Sequence, residues 1–236
     1  MRVLGDKISS AGIGTYAEKS LHKILKLSLE PDGSKHEIPH LGFVADIKNG
    51  QGITEIQTKA MKNLRDKLEA FLPDGRVCVV YPMYKNIRRH KITPDGEITE
   101  PRLSPKHQRI FDCAYELYNI RDFLADRNFK LCLMLLSVDE YVREGVQIEV
   151  AGKRRTKERI ERIPFGIEEI IELNTPKDYL MLLPEGLPER FGAADINKAC
   201  GKGFKRGFSI ISILKSLDLL TEGERVGRAI KYSVKK

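Results

Sequence analysis

Several features are missing from this 236-residue sequence, and each absence argues against a class of protein. No apolar run approaches the roughly 20 residues of a membrane-spanning helix, and the start lacks the apolar core of a signal peptide. No GxxxxGK[ST] or GxSxG motif occurs. These absences argue against a membrane partner, a P-loop NTPase, a serine hydrolase and a nucleotide cofactor.

Cysteine pairs are also missing. The four cysteines are scattered among apolar or small neighbours, at Cys78, Cys113, Cys132 and Cys200, and form no CxxC motif. This usage predicts buried thiols in a reducing compartment rather than disulfides or a zinc site. A cytoplasmic location is therefore expected.

The net charge of +8 is distributed unevenly along the chain. Residues 192–236 hold ten Lys or Arg against four Asp or Glu, a net charge of +6, and the remaining 191 residues carry only +2. A basic segment of this kind favours a polyanion partner, most often nucleic acid. A solvated surface is the alternative that charge alone leaves open.

The chain divides near segment 183–190, where two prolines and a glycine interrupt regular structure. A short helix that starts at Thr175 and Pro176 precedes this segment. We therefore predict two domains, residues 1–174 and residues 175–236. In the first domain the hydrophobic spacing predicts helices at 15–27, 59–71 and 106–125 and strands at 41–47, 53–58, 77–81 and 130–137. The predicted fold class is α/β (α+β), a mixed sheet flanked by helices.

Two acidic residues face each other across the predicted hairpin. Its turn centres between Gly50 and Gln51, so the antiparallel register pairs residues whose numbers sum to about 101. Asp46 then lies opposite Glu55, with Cβ atoms about 4.5–5.5 Å apart on one face. Adjacent carboxylates repel unless a proton or a cation lies between them. A hard cation such as Mg²⁺, or Mn²⁺, is the natural occupant, although a register shift of one residue would separate the acids.

A third acid, Glu18, borders the apolar stripe of the first predicted helix, because it precedes Leu21 and Leu25 by three and seven residues. A carboxylate that leans toward the core needs a partner, and a metal site would provide one. A solvated glutamate at the helix edge is the alternative.

Together, Glu18 on a first helix, Asp46 on a hairpin strand and Glu55-Ile56-Gln57 on the next strand resemble the PD-(D/E)XK nuclease superfamily. That superfamily includes restriction endonucleases and archaeal Holliday junction resolvases. The opening Gly12-Ile-Gly-Thr-Tyr-Ala-Glu18 also resembles the glycine-rich start of the resolvases. The resemblance covers about residues 8–82. It implies a restriction endonuclease-like fold and metal-dependent hydrolysis of phosphodiester bonds.

The resemblance also implies a role for each matching residue. Asp46, Glu55 and the Ile56 carbonyl would bind Mg²⁺, and Glu18 would bind a second metal ion or a metal-bound water. Gln57 departs from the family pattern, because the usual residue there is Lys. Glutamine brings no positive charge and cannot act as a base, but it can orient a water or contact a phosphate. Some restriction enzymes of this superfamily carry Gln at this position too. Nearby Lys48 and Lys59 are candidates to reach inward, with solvated side chains as the alternative.

The basic C-terminal segment is predicted to form helix, turn, helix and hairpin. Its second helix, about 205–217, combines an apolar side with a side of lysine and small hydroxyls. This order resembles a winged helix-turn-helix domain over residues 175–236, which implies that the second helix enters the major groove of DNA. The residues expected to contact DNA are Lys198, Lys202, Lys205, Arg206, Ser209, Ser212, Lys215, Arg225, Arg228 and Lys231. A winged helix used for protein contacts is the alternative.

The sequence thus predicts a Mg²⁺-dependent DNA endonuclease that a C-terminal winged helix positions on double-stranded DNA. A catalytically inactive nuclease fold that binds DNA or has a regulatory role is the alternative, motivated by Gln57. RNA as the substrate is a weaker alternative. A homodimer fits this function, since cutting both strands of a duplex often uses two active sites.

Overall fold

The described part of the chain, residues 17–150, 153–227 and 229–235 of a computed structural model, combines helices with a mixed sheet. The α-helices are α1 (Ala17–Leu29), α2 (Arg65–Phe71), α3 (Ala114–Tyr118), α4 (Ala193–Ala199) and α5 (Gly207–Ser216). The strands are β1 (His36–His40), β2 (Phe43–Asn49), β3 (Gly52–Ile56), β4 (Val77–Ile92), β5 (Arg102–Leu103), β6 (Phe129–Val150), β7 (Lys153–Leu173), β8 (Leu220–Val226) and β9 (Ala229–Val234). Short 3₁₀ helices lie at Gly33–Lys35, Met61–Leu64, Ile110–Cys113, Arg121–Phe123 and Pro176–Leu182.

Seven of the described strands form one sheet in the order β1-β2-β3-β4-β6-β7, with β5 paired to β4. β2 and β3 are antiparallel, whereas β3 and β4 are parallel, as the intervening helix α2 allows. This mixed sheet, together with the helices, confirms the predicted α/β class. None of the described helices has the length and apolar character needed to cross a membrane.

The described residues form two compact units, and the strands β1, β4, β6 and β7 contribute residues to both. Unit 1 contains the described residues of Met1–His36, Tyr81–Gln108 and Met134–Ile171. Unit 2 contains the described residues of Glu37–Val80, Arg109–Leu133 and Glu172–Lys236. The predicted domain boundary near residue 174 stays a prediction.

The hairpin of unit 2 has the predicted register. Ile47 pairs with Thr54, so that paired residue numbers sum to 101. The hairpin depends on Gly52, whose φ of +124° is a conformation that other residues rarely adopt. A Cβ on Gly52 would lie 2.4 Å from the carbonyl oxygen of Arg76, so the start of β3 packs directly against the start of β4.

Helix α2 and strand β4 form the core of unit 2 beside this hairpin. Leu68 and Phe71 on α2 are buried, as the spacing predicts. Val77, Val79 and Val80 on β4 are buried too, which agrees with a strand covered on both faces. The hydrogen bond from Gln57 N–H to the Val80 carbonyl, 2.9 Å long, extends the parallel pairing of β3 and β4 by one residue.

The C-terminal elements follow the predicted order of helix, turn, helix and hairpin. α4 and α5 approach closely at Gly207, where a Cβ would lie 2.3 Å from the carbonyl oxygen of Ala193. The predicted apolar side of α5 is buried. Ile211 is buried as well, and α3 packs against α5. β8 and β9 are antiparallel and meet at a turn at Gly227.

The predicted helix over 106–125 is wrong as a continuous element. Gln108 N–H donates to the Tyr84 carbonyl at 2.8 Å, so the segment begins extended. The Asn119 side-chain amide donates to the Tyr115 carbonyl at 2.8 Å and competes with backbone pairing where α3 ends. Two 3₁₀ helices and the short α3 therefore replace one helix.

Strands β4 and β6 extend well beyond their predicted ends at residues 81 and 137. Their extensions in unit 1 carry charged residues, which the apolar spacing did not assign to strands. These charges are paired across the strands, for example Arg88 with Asp139 at 2.7 Å. Paired charges let a polar sequence continue a strand that hydrophobic spacing alone would end.

We expect Gly52→Ala to lower the free energy of unfolding by about 2 kcal/mol or more. The cause is the clash of the new Cβ with the Arg76 carbonyl oxygen at a positive φ. Urea unfolding followed by circular dichroism measures this loss. Gly50→Ala is the matched control, because a Cβ there meets no atom within 4 Å. Equal stability of the two variants would contradict this account of the hairpin.

Candidate functional site

The two hairpin acids meet as the register predicts. Asp46 N–H donates to Glu55 Oε1 at 3.3 Å, and Asp46 Oδ2 accepts from the Ile56 backbone N–H at 2.8 Å. Glu55 is 2% exposed, whereas Asp46 is partly exposed. The structure therefore brings two carboxylates together at one end of the hairpin and fixes both through the backbone.

Lys67 on α2 completes this cluster, and the sequence interpretation missed it. Its Nζ lies 2.7 Å from Glu55 Oε2 and 2.7 Å from the Val44 carbonyl oxygen. The sequence contains a signal for this contact. Lys67 follows Leu64 by three residues and precedes Phe71 by four, so it lies on the apolar stripe of its helix. A lysine on that stripe faces the sheet and needs an anionic partner.

Burial raises the pKa of the Glu55 carboxyl above its usual value, and the neighbouring Asp46 charge raises it further. The Lys67 ammonium and the Asp46 backbone N–H oppose this shift. The net direction is upward, because desolvation penalises the ionised form more than these contacts stabilise it. Glu55 thus holds a proton more readily than an exposed glutamate would.

Gln57 turns toward its own loop. Its side-chain amide donates to the carbonyl oxygens of Lys59 and Ala60, the latter at 3.2 Å. Ala60 has a φ of +54°, so the amide braces a strained turn before the 3₁₀ helix at Met61–Leu64. Lys48, which the sequence predicts as a candidate to reach the acids, instead donates from its Nζ to Nδ1 of His40 at 2.9 Å.

The metal ligands predicted from the sequence are placed only in part. Asp46 and Glu55 supply hard oxygen donors of the kind that Mg²⁺ prefers. Glu18 lies in α1, but its side chain is outside the described residues. Across the described residues, no group of three or more His, Cys, Asp or Glu is arranged to hold a metal ion. The site therefore consists of two carboxylates and one ammonium group.

The residues predicted to contact DNA differ in their exposure. Those that are exposed are Lys198, Lys202, Lys205, Arg206, Lys215 and Arg225. Ser209 and Ser212 on α5 are half-buried, and Arg228 lies outside the described residues. The exposed side chains give the α4–α5 region a basic surface within unit 2.

Some predicted DNA contacts are occupied by other partners. Lys231 is half-buried and lies 2.5 Å from Asp195, and Lys215 lies 3.0 Å from Glu222. Arg206 donates to the Asp112 carbonyl at 3.2 Å. These three side chains stabilise the C-terminal elements, so they are less available to phosphate groups than Lys202 and Lys205.

Comparison with known proteins gives two matches. A family model described as Domain of unknown function (DUF8091) matches residues 19–174. The chain belongs to the DUF8091 family. An uncharacterized protein of Treponema pallidum (strain Nichols) is 31% identical over 222 residues, covering 93% of this chain and 86% of the relative. No solved structure matches the chain.

The DUF8091 region contains the whole acid cluster. It includes Asp46, Glu55 and Lys67, and it starts one residue after Glu18. It ends at Asn174, directly before Thr175, which caps the 3₁₀ helix at Pro176–Leu182. The basic C-terminal elements lie beyond the DUF8091 match.

The raised pKa of Glu55 predicts a pH dependence of stability in the DUF8091 region. The folded state binds this proton more tightly than the unfolded state does. The contribution of Glu55 is therefore fully present below its unfolded pKa, about 4.3, and is lost as pH rises through the raised folded pKa. We expect the free energy of unfolding of wild type minus that of Glu55→Gln to fall as pH rises above about 4.

Urea unfolding at a series of pH values measures this difference. Asp46→Asn is the matched control, because it removes the neighbouring charge and should weaken the pH dependence. A difference that rises with pH would contradict the assigned direction.

Proposed function

We propose that the protein is a metal-dependent nuclease whose catalytic centre is the cluster of Asp46, Glu55 and Lys67. The observation that carries this proposal is the contact of Lys67 Nζ with Glu55 Oε2 at 2.7 Å, beside Asp46. Two acids and one lysine are the side chains that the resemblance to the PD-(D/E)XK superfamily requires. The lysine comes from α2 instead of position 57.

Lys67 bears on the absence of a lysine at position 57. Gln57 donates its amide to its own loop. Lys67 supplies a positive charge next to the acids from a different element of the fold. An ammonium group at this place can stabilise negative charge that develops on a phosphate during hydrolysis.

The fold around the cluster supports the same proposal. The sequence predicts the order helix, hairpin, helix and buried strand around the two acids, and α1, β2–β3, α2 and β4 follow that order. The restriction endonuclease-like fold is accordingly proposed for this region. The order of α4, α5, β8 and β9 supports a winged helix as the second part of the proposal.

The donor set fits a hard divalent cation. Asp46 and Glu55 would hold Mg²⁺ or Mn²⁺, with the Ile56 carbonyl as the further ligand that the resemblance implies. Such a cation would lower the pKa of a bound water and offset charge on the scissile phosphate. Glu55 must be ionised for this role, and Lys67 favours its ionised form. Lys67 also orients the Glu55 carboxylate by anchoring it to the Val44 carbonyl.

A catalytically inactive nuclease fold is the second candidate function, and Lys67 is also the observation that favours it. An ammonium group bound to Glu55 supplies the positive charge that the two carboxylates need. In this alternative Lys67 replaces the metal ion permanently, and the protein binds DNA without cutting it.

We expect the wild-type protein to cut supercoiled plasmid or four-way junction DNA in Mg²⁺ or Mn²⁺. Asp46→Asn, Glu55→Gln and Lys67→Met should each lower the cleavage rate at least about 100-fold, because each removes a charged group from the site. Gel electrophoresis of time courses measures the rates. Lys62→Met is the matched control, since Lys62 is exposed in the 3₁₀ helix just before α2.

Two outcomes would contradict this proposal in different ways. Equal cleavage by wild type and Asp46→Asn would contradict the assignment of the catalytic centre to the cluster that contains Asp46. Absence of cleavage by a folded wild type would favour the inactive alternative. In that case, thermal unfolding should show stabilisation by Mg²⁺ only in Lys67→Met, where the vacated carboxylates need a new cation.

The exposed cations of the C-terminal elements should bind the DNA backbone. We expect Lys202→Ala combined with Lys205→Ala to reduce the magnitude of the negative slope of log affinity against log salt by about two. The reason is that each lysine would neutralise one phosphate. Fluorescence anisotropy with a labelled duplex in EDTA measures the slope. Lys177→Ala is the control, since Lys177 is exposed but outside the predicted contact set. An unchanged slope in the double variant would contradict the role of these lysines.

A further inference from the structure

Unit 1 contains a basic cleft between the end of β4 and the segment that includes β5. The cavity has a volume of about 440 Å³. Its polar lining consists of Arg89, Lys91, Thr99, Glu100, Arg102 and Ser104. Three of these side chains are cationic and one is acidic, so the lining carries an excess of positive charge.

Two arginines oppose each other directly in this cleft. Arg89 on β4 is the cross-strand partner of Arg102 on β5, so their side chains project from the same face. Like charges in this arrangement destabilise a strand pair. Within the described residues Arg102 is exposed and has no carboxylate partner. An anion between the two guanidinium groups would remove the repulsion.

Glu100 offsets one of the three cationic side chains of the lining. The carboxylates that pair with Arg89 and Lys91 do not neutralise the rest, because each is shared by two cations. Glu140, 4% exposed, binds two arginines. Its Oε2 lies 2.6 Å from Arg89 Nη2, and its Oε1 lies 2.8 Å from Arg162 Nη2. Its two oxygens are thus engaged by arginines on β4 and β7. This group of three side chains keeps a net charge of +1.

A second shared carboxylate repeats the pattern. Glu144 lies 3.1 Å from Lys91 and 2.6 Å from Lys157. Lys91 and Arg89 therefore both reach the cleft with their charges only partly compensated. Both side chains remain about two-fifths exposed, at 44% and 39%, so an anion from solvent can reach them.

The hydroxyl groups of the cleft add hydrogen-bond donors. Thr99 Oγ1 accepts from the Lys91 backbone N–H at 3.1 Å, and Ser104 Oγ accepts from the Lys106 backbone N–H at 3.2 Å. A hydroxyl that accepts a hydrogen bond still has its own hydrogen to donate. Guanidinium groups and hydroxyl donors together match phosphate oxygens.

We propose that this cleft binds phosphate groups of a nucleic acid backbone, with Arg102 as its main contact. The identity of the ligand rests on the proposed nuclease function. The described residues that line the cleft include no aromatic side chain on which a base could stack. Backbone phosphates rather than bases are therefore recognised, and binding is independent of sequence.

The test measures binding of the full chain to a fluorescently labelled duplex by anisotropy, in EDTA and over a series of salt concentrations. Arg102→Ala should lower the slope of log affinity against log salt by about one. Arg102→Glu should weaken binding more strongly than Arg102→Ala. The control is Arg127→Ala, because Arg127 is an exposed arginine in unit 2 and should leave the slope unchanged. Arg102 is exposed on a two-residue strand, so its variants should fold.

The outcomes separate the proposal from its alternatives. A slope that is the same in Arg102→Ala and wild type, or absence of duplex binding by wild type, overturns the nucleic acid ligand. Thermal unfolding with inorganic phosphate and with ATP distinguishes the source of the phosphate. Stabilisation by ATP that depends on Arg102, with an unchanged duplex slope, would assign the cleft to a small phosphorylated molecule and overturn the proposal.

Failure of the nuclease function would look different. The wild type would then leave DNA uncut in Mg²⁺ while its binding in EDTA still depended on Arg102. Asp46→Asn provides the reverse check, since it should lower the cleavage rate at least about 100-fold and keep the Arg102-dependent slope. Binding and cleavage therefore report on the two proposals separately.

Discussion

The buried carboxylate of Glu55, placed beside Asp46, is the constraint on which the arrangement of unit 2 depends. A charge at 2% exposure cannot persist next to a second negative charge without a cation. Lys67 provides that cation and also binds the Val44 carbonyl, so one ammonium group ties α2 to both strands of the hairpin. Breaking a buried pair of this kind typically costs about 3–5 kcal/mol. The contact of Lys67 with Glu55 therefore forms the candidate site and also holds α2 against the hairpin.

In unit 1 the excess charge is positive, whereas the cluster in unit 2 has an excess of carboxylates. Its long strands contain many cations, and acids on β6 hold them in pairs, as Glu140 does for Arg89 and Arg162. Sharing each carboxylate between two cations keeps the strands ordered and still leaves positive charge at the surface. Arg88 combines a bidentate contact to Asp139 with a position 3.7 Å from the Phe165 ring. Charged side chains thus add contacts between strands to those of buried apolar residues such as Ile87 and Val138.

The sequence predicts those parts of the fold that local rules determine. The register of the hairpin follows from its short turn, and the buried side of α5 follows from helical spacing. Lys67 could not be assigned in the same way, because its partner Glu55 is twelve residues away on another element. The extension of β4 depends on acids more than 45 residues later in the chain, such as Asp139. Hydrophobic spacing carries no information about such pairs, so the long strands were predicted too short.

The contacts of Lys67 also bear on whether the site can accept a metal ion. A lysine bound only to Glu55 would have to leave a carboxylate for solvent before a cation could enter. Lys67 has a second acceptor in the Val44 carbonyl and is 24% exposed, so its ammonium group can stay in place while Glu55 turns to a new ligand. Burial and the Asp46 charge raise the pKa of the Glu55 carboxyl, so protonation of Glu55 competes with metal binding. Entry of a metal ion therefore requires Glu55 to lose its proton but does not require Lys67 to leave, so the lysine contact is compatible with either candidate function.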